Sequence, residues 1–257
     1  MSLIITIDGN IGSGKTTFIN KLKEYSIQYN IQNIIFLEEP VDQWSQVSVN
    51  NITILEAFYT NPTRYAFSFQ MLAFISRLVL FLDAIRNNPD SIIISERSIL
   101  TDKYIFAKML YDNGNIDEYS YKIYNLWFEY FINKLPKHKH IYLYSDPSNT
   151  IKKIIKRQRP GESNINIDYL NQCHEYHEEM FIDNNKLLTK LNIDKYILGT
   201  DEYEMLVLSI LEILTQKEKK INKYLYYINY DEHIISLLRV SFILIVIYVF
   251  TIIYNLY

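Results

Sequence analysis

The sequence predicts an α/β fold, a five-stranded parallel sheet with helices on both faces, followed by a hydrophobic C-terminal tail. Three observations carry that expectation. Short apolar runs rich in Ile recur along the chain, separated by stretches with helical spacing of apolar residues. The runs are apolar at successive rather than alternate positions, as in strands buried on two sides, and such strands alternating with helices build parallel sheets. The first run leads straight into a glycine-rich loop and then a helix.

In chain order, residues 3–7 (Leu-Ile-Ile-Thr-Ile) read as the first strand and residues 16–25 as the helix behind it. Residues 33–37, 91–95, 140–144 and 195–198 read as strands two to five. Helical patterns fill residues 64–86, 99–111, 118–135, 148–157, 168–191 and 202–217. Ligands of such sheets bind at the carboxyl ends of the strands. Glu38-Glu39-Pro40, Glu96-Arg97-Ser98 and Asp146-Pro147 follow strands two, three and four, at that edge.

At 257 residues the chain can hold one large α/β domain. A net charge of −3 provides no basic field for a nucleic-acid polymer. The single cysteine, Cys173, excludes an intramolecular disulfide and fits a reducing compartment. The chain enters a strand at once, without a signal or transit pattern, so a cytoplasmic protein is expected. Residues 240–257 carry no charge, and a bilayer span needs about 20 apolar residues. This tail is read as a candidate membrane anchor, the alternative being a buried helix or strand of the domain, or a dimer contact. The expected division is a domain over residues 1–220 and an extension over 221–257, joined by the mildly basic stretch 217–223.

Gly9-Asn10-Ile11-Gly12-Ser13-Gly14-Lys15-Thr16 matches the phosphate-binding pattern G-x-x-x-x-G-K-[ST] in full. Strand, loop and helix start place backbone N–H groups and a helix dipole around an anion. Lys15 can reach the β- and γ-phosphates, and the Thr16 hydroxyl can ligate Mg²⁺. Glu39, held extended by Pro40, can accept the proton of an attacking hydroxyl across the cleft. Glu96 can hold the metal ion, and Arg97 can contact a hydroxyl, a base or a phosphate. Lys153 and Arg157 lie four apart on one helix face, and Arg159 follows in a Pro-Gly loop with Glu162; a basic lid of this kind can close over a triphosphate. Each feature also has a plain structural reading, as an ion pair or a solvated helix end.

Taken together, Gly9 to Thr17, Glu39-Pro40-Val41-Asp42-Gln43-Trp44, Phe69-Gln70, Glu96-Arg97-Ser98 with Asp102, Tyr104 and Phe106, and Arg157-Gln158-Arg159 ahead of Asp168-Tyr169-Leu170 resemble the deoxynucleoside kinases. That family includes deoxycytidine, deoxyguanosine, mitochondrial thymidine and insect multisubstrate kinases, and the resemblance covers residues 3–211. It implies a P-loop kinase fold, ATP and Mg²⁺, a deoxynucleoside substrate and a homodimer through the long helices. It implies that Glu39 activates a 5′-hydroxyl, with Arg97 holding that hydroxyl and the Glu39 carboxylate. Tyr59 and Glu162 would bind the 3′-hydroxyl. Gln70 would read the base edge, with Phe69 and Phe106 stacking and Trp44 shaping the pocket. Arg157 and Arg159 would be lid arginines, and Glu96 with Thr16 would manage magnesium.

Ala73, Arg77 and Asp102 match the small–Arg–Asp pattern of the deoxycytidine and deoxyguanosine kinases. An Arg–Asp pair against the base favours an amino or keto edge over thymine. Pro160-Gly161 in the lid departs from the family pattern, as does the apolar tail. Three rivals compete with this reading, one of them a nucleotide switch or regulator, for which the nucleoside-pocket residues would be surplus. A nucleoside monophosphate kinase would want more arginines for a phosphate acceptor. A non-catalytic nucleotide-binding scaffold of the same fold, attached to a membrane by the tail, would not need Lys15, Thr16, Glu39, Glu96 and Arg97 as a complete set.

Overall fold

The computed structural model describes residues 2–182 and 186–215. The strands are β1 (Leu3–Asp8), β2 (Ile34–Leu37), the short pair β3 (Ser48–Val49) and β4 (Ile52–Thr53), β5 (Ile92–Glu96), β6 (His138–Tyr144) and β7 (Leu187–Asn192). The helices are α1 (Lys15–Gln28), α2 (Val41–Gln46), α3 (Ile54–Thr60), α4 (Pro62–Asn87), α5 (Ile99–Thr101), α6 (Lys108–Asp112), α7 (Glu118–Ile132), α8 (Pro147–Arg157), α9 (Ile167–Phe181) and α10 (Asp201–Thr215).

The main sheet has the order β2-β5-β1-β6-β7, and every neighbouring pair is parallel. Its centre is rich in isoleucine: Ile4, Ile5, Ile7, Ile93 and Ile94 have no exposed surface. On one face Ile4 and Ile93 pack with Phe74, Leu78 and Phe81 of α4 and Tyr124 and Phe128 of α7. Truncating a fully buried ring such as Phe74 would cost about 3–5 kcal/mol through lost transfer energy and a cavity. The helix α1 buries Phe18, Ile19 and Leu22, and its outer edge joins α10 through Tyr25 and Lys21, both bound to Glu204. β1 therefore sits between β5 and β6 with its carboxyl end in the middle of the sheet edge, where the phosphate loop begins.

Two assignments made from the sequence need correction. Residues 195–198 are not the fifth strand; a short 3-10 turn, Ile193–Lys195, takes in the first of them, and Ile197 and Leu198 are exposed. The fifth strand is β7, which begins inside the stretch 168–191 that reads as one long helix and ends one residue beyond it. Leu-Leu-Thr-Lys-Leu has apolar spacing compatible with either state. The open edge of β6 decides it, pairing Ile141 with Thr189 and Leu143 with Leu191. The helix over 99–111 also proves composite: α5 passes into a π-helical stretch, Asp102–Ala107, before α6.

Absent from the sequence reading are α2, α3 and the β3–β4 hairpin. Asn50 and Asn51 at the hairpin tip have φ of 52° and 62°, as in a type I′ turn. Thr53 and Glu56 form a capping box at the start of α3.

Among the described residues one helix, α4, is long and apolar enough to cross a membrane. Half of its most apolar window is buried in the core, and it carries Gln70 and Arg77 into the interior. The chain divides after Leu211, and beyond that point only residues 212–215 are described. The apolar tail, residues 240–257, lies outside the described residues.

Candidate active site

The phosphate loop owes its shape to backbone freedom. Gly12 has φ of 78°, and a Cβ there would lie 2.8 Å from the Thr150 carbonyl oxygen. Gly14, at φ 94°, is the residue ahead of α1, and no side chain caps that helix. The first N–H groups of α1 are thus left for a ligand. Asn10 ties the loop down: its Nδ2 donates to the Leu170 carbonyl at 2.8 Å and its Oδ1 accepts from the Ile11 N–H. Gly9 and Ser13 complete the loop, and Ser13 Oγ is buried without a hydrogen-bond partner.

Lys15 Nζ folds over the loop, 2.8 Å from the Asn10 carbonyl and 4.0 Å from Glu96 Oε1. Burial pulls its pKa down, with Arg97 adding to the effect against Glu96 and Glu39, to about 7. The Thr16 hydroxyl donates to Glu96 Oε2 at 2.9 Å, which brings together one hydroxyl and one carboxylate suited to Mg²⁺. Thr17 follows on the exposed side of α1. Free N–H groups, an unpartnered Ser13 hydroxyl and a buried cation with a depressed pKa together suit a magnesium–nucleoside triphosphate.

Glu39 stands across the cleft from the loop, at the end of β2. Its Oε1 accepts from Arg77 Nη2 at 3.1 Å and lies 3.2 Å from Arg97 Nε. Glu38 points away to solvent beside Lys23. Burial pushes the Glu39 carboxyl up, but Arg97, Arg77 and Lys15 outweigh it and bring it down to about 2. Arg77 is buried on α4, and its Nη1 reaches Asp102 Oδ2 at 3.1 Å. Asp102 opens the π-helical stretch. Burial raises its carboxyl to about 6 against the pull of Arg77. Arg97 adopts the left-handed φ of 63° and donates through Nη1 to the Gly9 carbonyl at 2.7 Å.

One cleft unites Ile11, Gly12, Lys15, Thr16, Glu39, Trp44, Tyr59, Phe69, Gln70, Ala73, Arg77, Glu96, Arg97, Asp102, Phe106, Arg157, Arg159 and Glu162. The helices α2, α3, α4 and α9 and the π-helical stretch supply its inner wall. Trp44 of α2 donates through Nε1 to Ser76 and meets the Phe69 ring edge-on at 5.3 Å. Phe106 lies under the Arg97 guanidinium at 4.9 Å. Gln70 and Ala73 of α4 are buried beside them. The π-helical stretch carries both Asp102 and Phe106, a placement common for such irregularities. Leu55 and Phe58 of α3 and Tyr169 of α9 also line the cleft. Sequence reading gave none of the three a site role, although the capping box before α3 was there to be read.

The lid closes on itself. Arg157 Nε donates to Glu162 Oε2 at 2.6 Å, its Nη2 donates to Oε1, and Arg159 Nη1 reaches Oε1 at 3.4 Å. Gly161, at φ 85°, passes so near α3 that a Cβ would lie 3.1 Å from Glu56 Cα. Pro160-Gly161 thus shapes the turn that buries Glu162. Lys153 does not join this group; its Nζ is 3.4 Å from Asp194 Oδ1, outside the cleft lining. Among the described residues no cluster of three or more His, Cys, Asp or Glu side chains could hold a metal ion alone.

Comparison with known proteins identifies the family. The family model described as deoxynucleoside kinase matches residues 5–223. A probable deoxycytidine kinase of fowlpox virus is 38% identical over 185 residues, 71% of this chain and 73% of that protein. Human deoxycytidine kinase is 28% identical over 240 residues, covering 82% and 90%. The mitochondrial deoxyguanosine kinase of Xenopus laevis is 25% identical over 193 residues, covering 68% and 71%. With its phosphate loop facing a carboxylate clamped by two arginines, the chain belongs to the deoxynucleoside kinase family.

Proposed function

We propose that the chain transfers a phosphoryl group from MgATP to the 5′-hydroxyl of deoxycytidine or a purine deoxynucleoside, in nucleotide salvage. The observation that carries this reading is the Glu39 carboxylate, held by Arg77 and Arg97 and facing the Lys15 side of the cleft. Phosphoryl transfer through a loose transition state needs an aligned acceptor for the hydroxyl proton rather than a strong base, because the proton moves late. An ionised, two-point-held carboxylate meets that need. Lys15, the N–H groups of the loop, Arg157 and Arg159 face the charge of the donor. Thr16 and Glu96 would hold magnesium, which neutralises charge on the phosphates.

Base selection follows from hydrogen-bond matching. Gln70 offers a donor and an acceptor, and Asp102 an acceptor paired with Arg77. That set suits an amino edge, in keeping with the names of the relatives. Tyr59, with its hydroxyl kept protonated by burial beside Glu162, would meet the 3′-hydroxyl together with that carboxylate.

The kinase domain is assigned to residues 1–220, in line with a family match that ends at 223. The extension 221–257 is the candidate anchor for an otherwise cytoplasmic enzyme. A homodimer is assigned to the long helices. Ile75 and Val79 on α4, and Ile123, Leu126, Trp127 and Tyr130 on α7, are exposed at helical spacing, an apolar face that suits a second copy. Sedimentation of wild type and Leu126→Glu tests it.

The deciding experiment is steady-state phosphorylation of the four deoxynucleosides by the purified full-length chain with MgATP. Turnover of deoxycytidine or the purines supports the assignment. Turnover of thymidine alone overturns the specificity, and no turnover in a folded protein that binds ATP overturns the reaction. Flotation with liposomes, against a chain ending at residue 220, tests the anchor.

A further inference from the structure

Asp8 closes β1 one residue before the phosphate loop and does not line the cleft. Its side chain has no exposed surface. Its Oδ1 accepts from the Ser98 N–H at 3.1 Å and from the Thr101 hydroxyl. Its Oδ2 accepts from the Thr6 hydroxyl at 2.5 Å and lies 2.9 Å from His140 Nδ1. A buried carboxylate is costly unless fully partnered. Burial pushes the Asp8 carboxyl up, and His140 with the two hydroxyls pulls it well below the usual carboxylate range.

These partners stitch the chain around Arg97 to residues 7–9. The Arg97 N–H donates to the Ile7 carbonyl at 3.0 Å, Ser98 N–H to Asp8, and Arg97 Nη1 to the Gly9 carbonyl. Arg97 itself sits at φ 63°. A non-glycine residue holds that conformation only when its surroundings over-determine it. Asp8 provides the one side chain in this set that grips the chain on the far side of Arg97, at both Ser98 and Thr101.

We infer that Asp8 is a positioning residue for phosphoryl transfer: it locks the turn at Arg97 and so sets the direction from which that guanidinium meets Glu39. The inference rests on the reading of Glu39 and Arg97 as the groups at the attacked hydroxyl. Asp8 never touches substrate; it acts through Arg97, and the two residues therefore behave as one unit.

Units of this kind are non-additive in kinetics. The test is a cycle of Asp8→Asn, Arg97→Ala and the double variant in the full-length chain, assayed with deoxycytidine and MgATP and scaled to folded protein by circular dichroism. Asp8→Asn is expected to lower kcat about tenfold with KM for MgATP changed less than about twofold, and to change kcat less than about twofold in the Arg97→Ala background. Unchanged kcat per folded molecule, or a full tenfold loss on top of Arg97→Ala, overturns the inference and leaves a purely structural carboxylate. Should Asp8→Asn not fold, Thr101→Val removes one Oδ1 donor without altering charge. Its loss of about threefold must likewise vanish in the Arg97→Ala background, and persistence there overturns the inference. Wild-type kcat in Arg97→Ala itself overturns instead the role given to Arg97, and the inference falls with it.

Discussion

Arg77 reaches Glu39 as well as Asp102: its Nη2 lies 3.1 Å from Glu39 Oε1 while its Nη1 lies 3.1 Å from Asp102 Oδ2. One guanidinium thus joins the carboxylate read as the proton acceptor to the carboxylate read as the base-edge contact. Specificity and chemistry share a residue, and a change that retunes the base pocket also disturbs Glu39. Removing one partner of a buried pair costs about 3–5 kcal/mol, so this network is also structural.

Glu39→Gln should lower kcat for every accepted deoxynucleoside by a factor of about 10² or more, with ATP affinity held within about threefold. The amide keeps the shape and loses the negative charge that both arginines hold. Steady-state kinetics and ATP titration calorimetry check the two halves separately, and undiminished turnover would remove Glu39 from the reaction.

Replacing Arg77 with Met and Asp102 with Ala should raise the thymidine-to-deoxycytidine ratio of kcat/KM by about tenfold or more. Absolute kcat should fall for both, because Glu39 loses its Arg77 donor. Competition between the two nucleosides in one assay reads the ratio directly. A ratio that stays put means that this pair does not read the base.

The acid side of the pH profile is expected to follow Asp102. Its carboxyl stands raised, at about 6, while that of Glu39 is held at about 2. As pH falls through 6, Asp102 gains a proton and loses the negative charge that strengthens its hydrogen bond from an amino edge and its pairing with Arg77. The free-enzyme parameter kcat/KM for deoxycytidine should therefore drop below about pH 6. Asp102→Asn should flatten this limb, and an unaltered limb in that variant would assign it elsewhere.

Lys15 should take up a proton when nucleotide binds. Its free-enzyme pKa is lowered to about 7 by burial and Arg97, and phosphate oxygens favour the charged form and raise it again. Below about pH 6 the amine is already protonated and no uptake is expected; near pH 8 uptake should approach about one proton per site. Calorimetry of ATP binding in buffers of differing ionisation enthalpy measures it, and Lys15→Met should abolish it.

The sequence by itself determined the parallel α/β class, the phosphate loop from Gly9 to Thr17, and the identity of the acidic and basic residues at the ends of β2 and β5. These depend on local pattern: runs apolar on both faces, a glycine spacing, a carboxylate before a proline. The tertiary structure decided what local pattern leaves degenerate. Whether residues 187–192 are helix or strand depends on the open edge of β6, since their leucines suit both periods. That residues 102–107 form a π-helical stretch rather than a continuous α-helix is likewise not encoded in the α-helical spacing of the sequence. That Arg97 faces Glu39 depends on a left-handed backbone held from Ile7, Asp8 and Gly9, some 90 positions away along the chain. Composition names the groups of this site, and only long-range packing brings two arginines onto one carboxylate oxygen.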